Sequence, residues 1–164
     1  MESLEIVLER AEKSYLEDEK VQMAERKNGY YKELITKLDK SAILDGAEEF
    51  INDAKSKGVK VAIGSSSKNT IAILTQVGLL ETFDKIADGN DIKNSKPAPD
   101  VFLKAAEKLG IESNKCLVVE DADAGVEEAL AANMDVLAVG YASVNPKATY
   151  SAKGLFDIKV DDIM

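Results

Sequence analysis

Apolar residues recur at two different spacings, and the change between them divides the chain. From 3 to 15, Leu4, Val7, Leu8, Ala11 and Tyr15 fall at helical intervals, and from 18 to 38 so do Val21, Ala24, Tyr31, Leu34, Ile35 and Leu38. The spacing predicts an antiparallel helix pair. Its polar faces are dense in Glu and Lys, the pattern of a solvated surface.

From Leu44 onward, helical and extended patterns alternate. Ala47, Phe50, Ile51 and Ala54 mark a helix closed by Gly58, and Val59 to Ile63 is an apolar run ending at Gly64. A second helix carries Ile71, Ile73, Leu74 and Val77, with Gly78 just past its end, and Phe83 to Ala87 reads as a short strand. Pro99 and Asp100 suit the first turn of a helix whose stripe is Val101, Phe102, Ala105, Ala106 and Leu109, up to Gly110. There follow a strand over 116–120, a helix from Ala124 to Asn133, a strand from Val136 to Val139 and a last strand over Phe156 to Val160. This order predicts an α/β fold with right-handed crossovers, a parallel sheet and helices on both faces. The expected organisation is a helical segment over 1–43 and an α/β core over 44–164.

Composition narrows the chemistry. At 164 residues and 45% apolar content the chain can bury one core of ordinary size. It has no apolar run long enough to span a membrane. Met1-Glu2-Ser3-Leu4-Glu5 is acidic rather than basic then apolar, which argues against a secretory signal and for a cytoplasmic setting. The single cysteine, Cys116, sits in an apolar run as a structural thiol would. Zero histidines exclude Ser-His and Cys-His catalysis and most zinc chemistry, and a net charge of −9 opposes nucleic-acid binding.

In parallel sheets, ligands collect at the carboxyl ends of the strands. Three polar clusters fall there: Ser65-Ser66-Ser67-Lys68-Asn69, Ser95-Lys96 and Glu120-Asp121. Hydroxyls and backbone N–H groups between a strand and a helix N-terminus can cradle an anion, although Ser67 or Asn69 can equally be an ordinary N-cap. Adjacent carboxylates at the end of an apolar strand repel each other unless a cation sits between them, and Mg2+ takes one or two carboxylates with water and phosphate oxygens. The alternative is that Asp121 or Asp123 caps the following helix. Composition and spacing leave both open.

Three segments together, Lys96-Pro97-Ala98-Pro99-Asp100-Val101-Phe102, Val119-Glu120-Asp121 with Ala124-Gly125-Val126, and the strand ending in Ser65, resemble the haloacid dehalogenase superfamily. Gly64-Ser65-Ser66-Ser67-Lys68-Asn69 and Glu25-Arg26-Lys27-Asn28 resemble its β-phosphoglucomutase branch. The resemblance implies a Rossmann-like parallel sheet with helices on both faces and a partial helical cap. It implies that Ser65 contacts the transferring phosphoryl group and that Lys96 balances its charge. Glu120 and Asp121 would be metal-site acids for Mg2+, with Asp121 the direct ligand. Lys68 and Asn69 would hold a second phosphate or the hydroxyls of a sugar phosphate, while Lys27, with Ser3, would face the substrate from the cap.

The family pattern opens with a strand ending Asp-x-Asp-Gly, which supplies the nucleophile and the general acid and base. That segment is not found here, and Asp121-Ala122-Asp123 belongs to the later acidic motif. The resemblance places the missing strand centrally, between those at 59–64 and 116–120. Those two would close up and pair, or another chain would cover them by self-association. The expected protein is therefore β-phosphoglucomutase-like but inactive alone on a hexose phosphate such as β-glucose 1-phosphate. The competing expectations are a sugar-phosphate-binding or assembly module needing a separate N-terminal piece, and a phosphatase fragment.

Overall fold

The computed structural model describes residues 8, 13, 15–94 and 98–164. The helix expected over 3–15, and with it the antiparallel pair, lies mostly outside the described residues. The chain divides into two compact units, Met1–Leu38 and Asp39–Met164.

Within the first unit, α1 spans Glu17–Ile35. Glu17, Asp18 and Glu19 occupy its first turn and Lys32 its last, matching the helix dipole at both ends. The Leu16 amide donates to Glu19 Oε2 at 2.9 Å, satisfying one N-terminal donor. The helix stops before Leu38 because Lys37 and Leu38 donate to the carbonyls of Leu34 and Ile35, which tightens the last turn.

The second unit is built from α2 (Ala47–Ser56), β1 (Ala62–Gly64), α3 (Thr70–Val77), β2 (Lys85–Ala87), α4 (Asp100–Leu109), β3 (Leu117–Glu120), α5 (Asp123–Ala131), β4 (Asp135–Ala138) and β5 (Tyr150–Ser151). Gly58, Gly78 and Gly110 all take the left-handed conformation just past a helix end, where only glycine is unstrained. The core packs Val101, Phe102, Ala105 and Ala106 of α4 with Val118, Val126, Ala129, Val136 and Ala138. β4 is the most enclosed strand, its Val136, Leu137 and Ala138 being fully buried.

All strand pairs are parallel, as expected, but they form two sheets rather than one. β1 pairs with β2, and separately β3–β4–β5 run side by side. β1 and β3 do not pair. Between them lies an open cleft of about 930 Å³, lined along the whole of both strands and by apolar residues of α2 and α4. Val119 of β3 is 39% exposed in consequence, unusual for a strand of a parallel sheet, which is normally covered on both faces.

The last strand lies elsewhere than the sequence pattern predicts. The edge of β4 is taken by Tyr150 and Ser151, and the Ala152 amide extends the pairing to Ala138 O at 3.0 Å. The apolar run at 156–160 instead forms two 3-10 turns, Leu155–Asp157 and Val160–Asp162. Their apolar side chains do not alternate across a sheet: Val160 is buried while Phe156 stays 64% exposed. The turns are fastened to α2 by Lys57, which bridges Asp53 and Asp161.

A tighter clasp lies at the other end of α2. Gly46 has φ +81°, and a Cβ there would meet Phe156 N at 2.5 Å and Phe156 Cα at 2.8 Å. Gly58 has a similar φ of +78° with open space around it. Gly46→Ala should therefore cost about 2–4 kcal/mol in urea unfolding, combining left-handed strain with a backbone collision, whereas Gly58→Ala should cost only about 1 kcal/mol. Equal losses would show that the clasp is unimportant.

After β2, Asp88 Oδ1 accepts the Asn90 amide, and Asp91 pairs with Lys108 of α4 at 2.7 Å. Lys108 Nζ also donates to Ile86 O, so one ammonium ties β2, the following loop and α4 together. The Lys108 hydrogen bond holds the Asp91 carboxyl below the ordinary carboxylate range. Because the folded pKa is the lower one, this contribution is present at neutral pH and is lost as pH falls through the folded value. The stability gap between the wild type and Asp91→Asn should be widest near pH 7 and shrink below about pH 4, measured by urea unfolding across that range.

Candidate functional site

Two of the polar clusters anticipated from the sequence, Ser65 to Asn69 and Glu120-Asp121, lie at the carboxyl ends of strands. Ser65 comes directly after β1, and its amide donates to Ala87 O at 3.0 Å, fixing the loop to β2. The loop then folds on its own hydroxyls. Ser65 Oγ accepts the Ser67 amide at 3.2 Å, and Ser67 Oγ accepts the Asn69 amide at 3.1 Å. Thr70 Oγ1 donates back to Ser67 O at 2.8 Å. Asn69 occupies the N-cap position of α3 without a side-chain cap bond, so the expected capping by Asn69 is not what starts this helix. Ser67 does the related work two residues earlier. Lys68 is exposed at the tip.

Gly89 underlies this loop. Its amide donates to Ser67 O at 3.1 Å, and a Cβ there would run into the Ser66 carbonyl. The serine loop and the loop after β2 are thereby pressed together main chain to main chain, an approach that requires glycine.

Lys96 lies outside the described residues, as do its neighbours Ser95 and Pro97. The segment is bracketed by a clamp: Asp100 Oδ2 accepts both the amide and the side-chain Nδ2 of Asn94, each at 3.1 Å. Asp100, read from the sequence as a helix-start residue, thus also holds the far end of the preceding loop.

Glu120 and Asp121, adjacent in sequence, do different things. Glu120 Oε2 accepts the amides of Asp121 at 3.1 Å and Ala122 at 3.2 Å, folding its carboxylate over the turn. The carboxylate rests on Gly125, where any Cβ would collide with it. Asp121 is exposed, and its carboxylate accepts no hydrogen bond from the described residues. Its backbone carbonyl takes the Ala142 amide at 3.1 Å, which ties the turn to the Gly140–Val144 segment after β4. Neither aspartate is the helix cap allowed for in the sequence: Ala122 holds the N-cap position of α5 without a side-chain bond. Asp123 lies in the first turn and accepts Asn145 Nδ2 at 2.7 Å.

This arrangement bears on a divalent cation. No group of three or more potential ligands gathers among the described residues. What remains is one uncommitted carboxylate, Asp121, beside a second whose Oε2 already serves two amides. That donor set fits Mg2+, which binds through one or two carboxylates and fills its shell with water and phosphate oxygens, and does not fit a metal needing an all-protein cage.

Lys27 lies exposed on α1 in the first unit and flanks a shallow surface with Met23, Tyr30 and Tyr31. Ser3 lies outside the described residues. The roles of Gly89, Gly125, Asn94 and Asn145 were not anticipated from the sequence. Gly125 had a visible signal, a glycine inside the helical stripe that follows the acidic pair; the asparagines had none. No helix among the described residues is long and apolar enough to cross a membrane.

Residues 3–139 match the family of haloacid dehalogenase-like hydrolases. The β-phosphoglucomutase of Clostridium difficile superposes with a TM-score of 0.92 at 39% identity, covering 99% of this chain and 74% of that one. The β-phosphoglucomutase of Bacillus subtilis is 36% identical over 141 residues, 85% of this chain and 62% of its own length. A fructose-1-phosphate phosphatase of Escherichia coli is 36% identical over 110 residues, 63% of this chain and 58% of its own. The chain thus spans about three fifths of these two curated relatives. A family match across most of the sequence, together with this identity and superposition, makes the chain a β-phosphoglucomutase-like member of the haloacid dehalogenase-like hydrolase family.

Proposed function

We propose that this chain carries the phosphate- and Mg2+-binding part of a phosphoryl-transfer site acting on a hexose phosphate such as β-glucose 1-phosphate, and that these 164 residues alone bind without turning over. The observation that carries this reading is the division of labour at the end of β3: Glu120 orders the turn, and Asp121 is left exposed with its carboxylate uncommitted among the described residues. Asp121 is the direct metal ligand and Glu120 the second metal-site acid. Mg2+, when bound, would neutralise phosphate oxygens there.

The serine loop supplies the anion side. Ser65 and the N–H groups leading into α3 face the transferring phosphoryl group, and Lys68 and Asn69 take the second phosphate or the sugar hydroxyls. Lys96 balances phosphoryl charge, and Lys27 is the substrate-facing residue of the first unit. The helical cap over 1–43 and the core over 44–164 are the domains of this reading. Positioned charge alone does not complete a phosphoryl transfer of the mutase kind, which needs a group to carry the phosphate. No Asp-x-Asp-Gly strand end occurs in the sequence. A phosphatase acting on phosphorylated sugars would use the same residues, and the Escherichia coli relative favours keeping that reading as the second.

Calorimetric titration should detect binding of β-glucose 1-phosphate that strengthens with Mg2+. Asp121→Asn should weaken the Mg2+-dependent part by about tenfold or more, roughly 1.4 kcal/mol, leaving the Mg2+-independent part in place. A coupled assay for glucose 6-phosphate and a phosphate-release assay should both stay at background. Robust turnover would overturn the inactive reading, and absence of binding would overturn the site.

A further inference from the structure

We propose that Lys108 and Asp91 are positioning residues for anion binding: together they hold Gly89 in place, and Gly89 sets where the serine loop presents its donors. The inference rests on the reading of Ser65 to Asn69 as the phosphate side of the site and adds the residues that aim it.

The bonds inside the serine loop fix its shape and not its place. Ser65 and Ser67 each accept an amide two residues further on, contacts that travel with the loop wherever it sits. Its place is set by two main-chain bonds to one neighbour, the segment after β2. The Ser65 amide donates to Ala87 O at 3.0 Å, and the Gly89 amide donates to Ser67 O at 3.1 Å. Thr70 Oγ1, on the buried first residue of α3, donates to the same Ser67 carbonyl at 2.8 Å. Without Gly89 the loop would hinge on α3 alone. A peptide unit is planar, so fixing the Ser67 carbonyl also fixes the direction of the Lys68 N–H.

The 86–91 segment is held in turn by α4. Lys108 Nζ donates to Ile86 O and to Asp91 Oδ2, each at 2.7 Å. Asp91 Oδ2 also accepts the Asp88 amide at 2.9 Å, and the Asp91 amide donates back to Asp88 O at 2.9 Å. Ile86 and Asp88 are thus tied toward Lys108, and Ala87 and Gly89 to the serine loop. The joint has no slack: a Cβ on Gly89 would run into the Ser66 carbonyl and come within 3.0 Å of Lys68 N, so a shift of this turn is passed on to the loop's main chain. Lys108 and Asp91 are only 30% and 28% exposed, a sheltered pair rather than a surface one. Lys104, the other α4 cation whose charge Asp91 feels, is engaged by Glu107 at 2.8 Å.

The test is calorimetric titration of β-glucose 1-phosphate into the 164-residue chain, with and without Mg2+, beside amide NMR spectra of the same proteins. Lys108→Met should weaken binding about fivefold or more in both conditions, since Mg2+ acts at Asp121 on another loop. It should also move the amide signals of Ser66, Ser67 and Lys68. Lys108→Arg keeps the charge and should restore most of the affinity, while Asp91→Asn should act in the same direction as Lys108→Met. Lys57→Met breaks the ion pairs to Asp53 and Asp161, controls for general destabilisation, and should leave affinity unchanged. Wild-type affinity in Lys108→Met, no rescue by arginine, or equal weakening by Lys57→Met would overturn the proposal. Failure of the wild type to bind would overturn the sugar-phosphate reading beneath it. Even then, amide signals of 66–68 that stay put in Lys108→Met would sink the positioning role, so the two failures are told apart.

Discussion

A strand inside a parallel sheet has two edges, and each carries main-chain groups that must find partners. In this chain β1 and β3 use one edge each, toward β2 and β4, and turn the other toward an apolar cleft. Much else follows from that incomplete ladder. The helix α4 lies against β1 and β2, and its Val101, Phe102 and Ala105 belong to the same buried cluster as Val136 and Ala138 of β4. The Phe102 ring packs so close to Gly64 that a Cβ there would meet Cδ1 at 2.7 Å. A glycine ending β1 lets one aromatic ring occupy space that a second β-strand side chain would otherwise claim.

The site depends on the same scaffold at its carboxyl ends. Loops after strands carry unpaired main-chain groups, and here each loop satisfies part of its own need with a side chain: Ser65 and Ser67 after β1, Asp88 and Asp91 after β2, Glu120 after β3. What is left over is the chemistry on offer. Asp121 is left over where Glu120 is not: Glu120 Oε2 takes the amides of Asp121 and Ala122, and the Asp121 carboxylate takes none among the described residues.

The helices were legible from their apolar stripes together with terminal glycines after α2, α3 and α4 or acidic first turns at α1, α2, α4 and α5, most fully at α4, where Asp100, the Val101–Phe102–Ala105–Ala106 stripe and Gly110 mark both ends. Strand positions were legible too, but β1 begins at Ala62 rather than Val59, because pairing with β2 starts only where Lys85 comes alongside. The run at 156–160 has strand-like residues yet forms turns, since the place beside β4 is held by Tyr150 and Ser151 and local propensity yields to which segment arrives at the edge. At the site, residue types and order revealed the loops. Which carboxylate would fold inward was not legible, because that depends on Gly125 leaving room for Glu120.

The clasp at Gly46 also sets an order in time. The start of α2 is pinned by main-chain atoms of Leu155 and Phe156, more than a hundred residues later in the chain. A ribosome adding about 5–20 residues per second needs roughly 5–20 s to cover that interval. During synthesis, β1, α3 and β2 are therefore made and can pair while the beginning of α2 still awaits its partner. Until residues 155 and 156 are made, the start of α2 lacks the main-chain atoms that close over Gly46 in the finished fold.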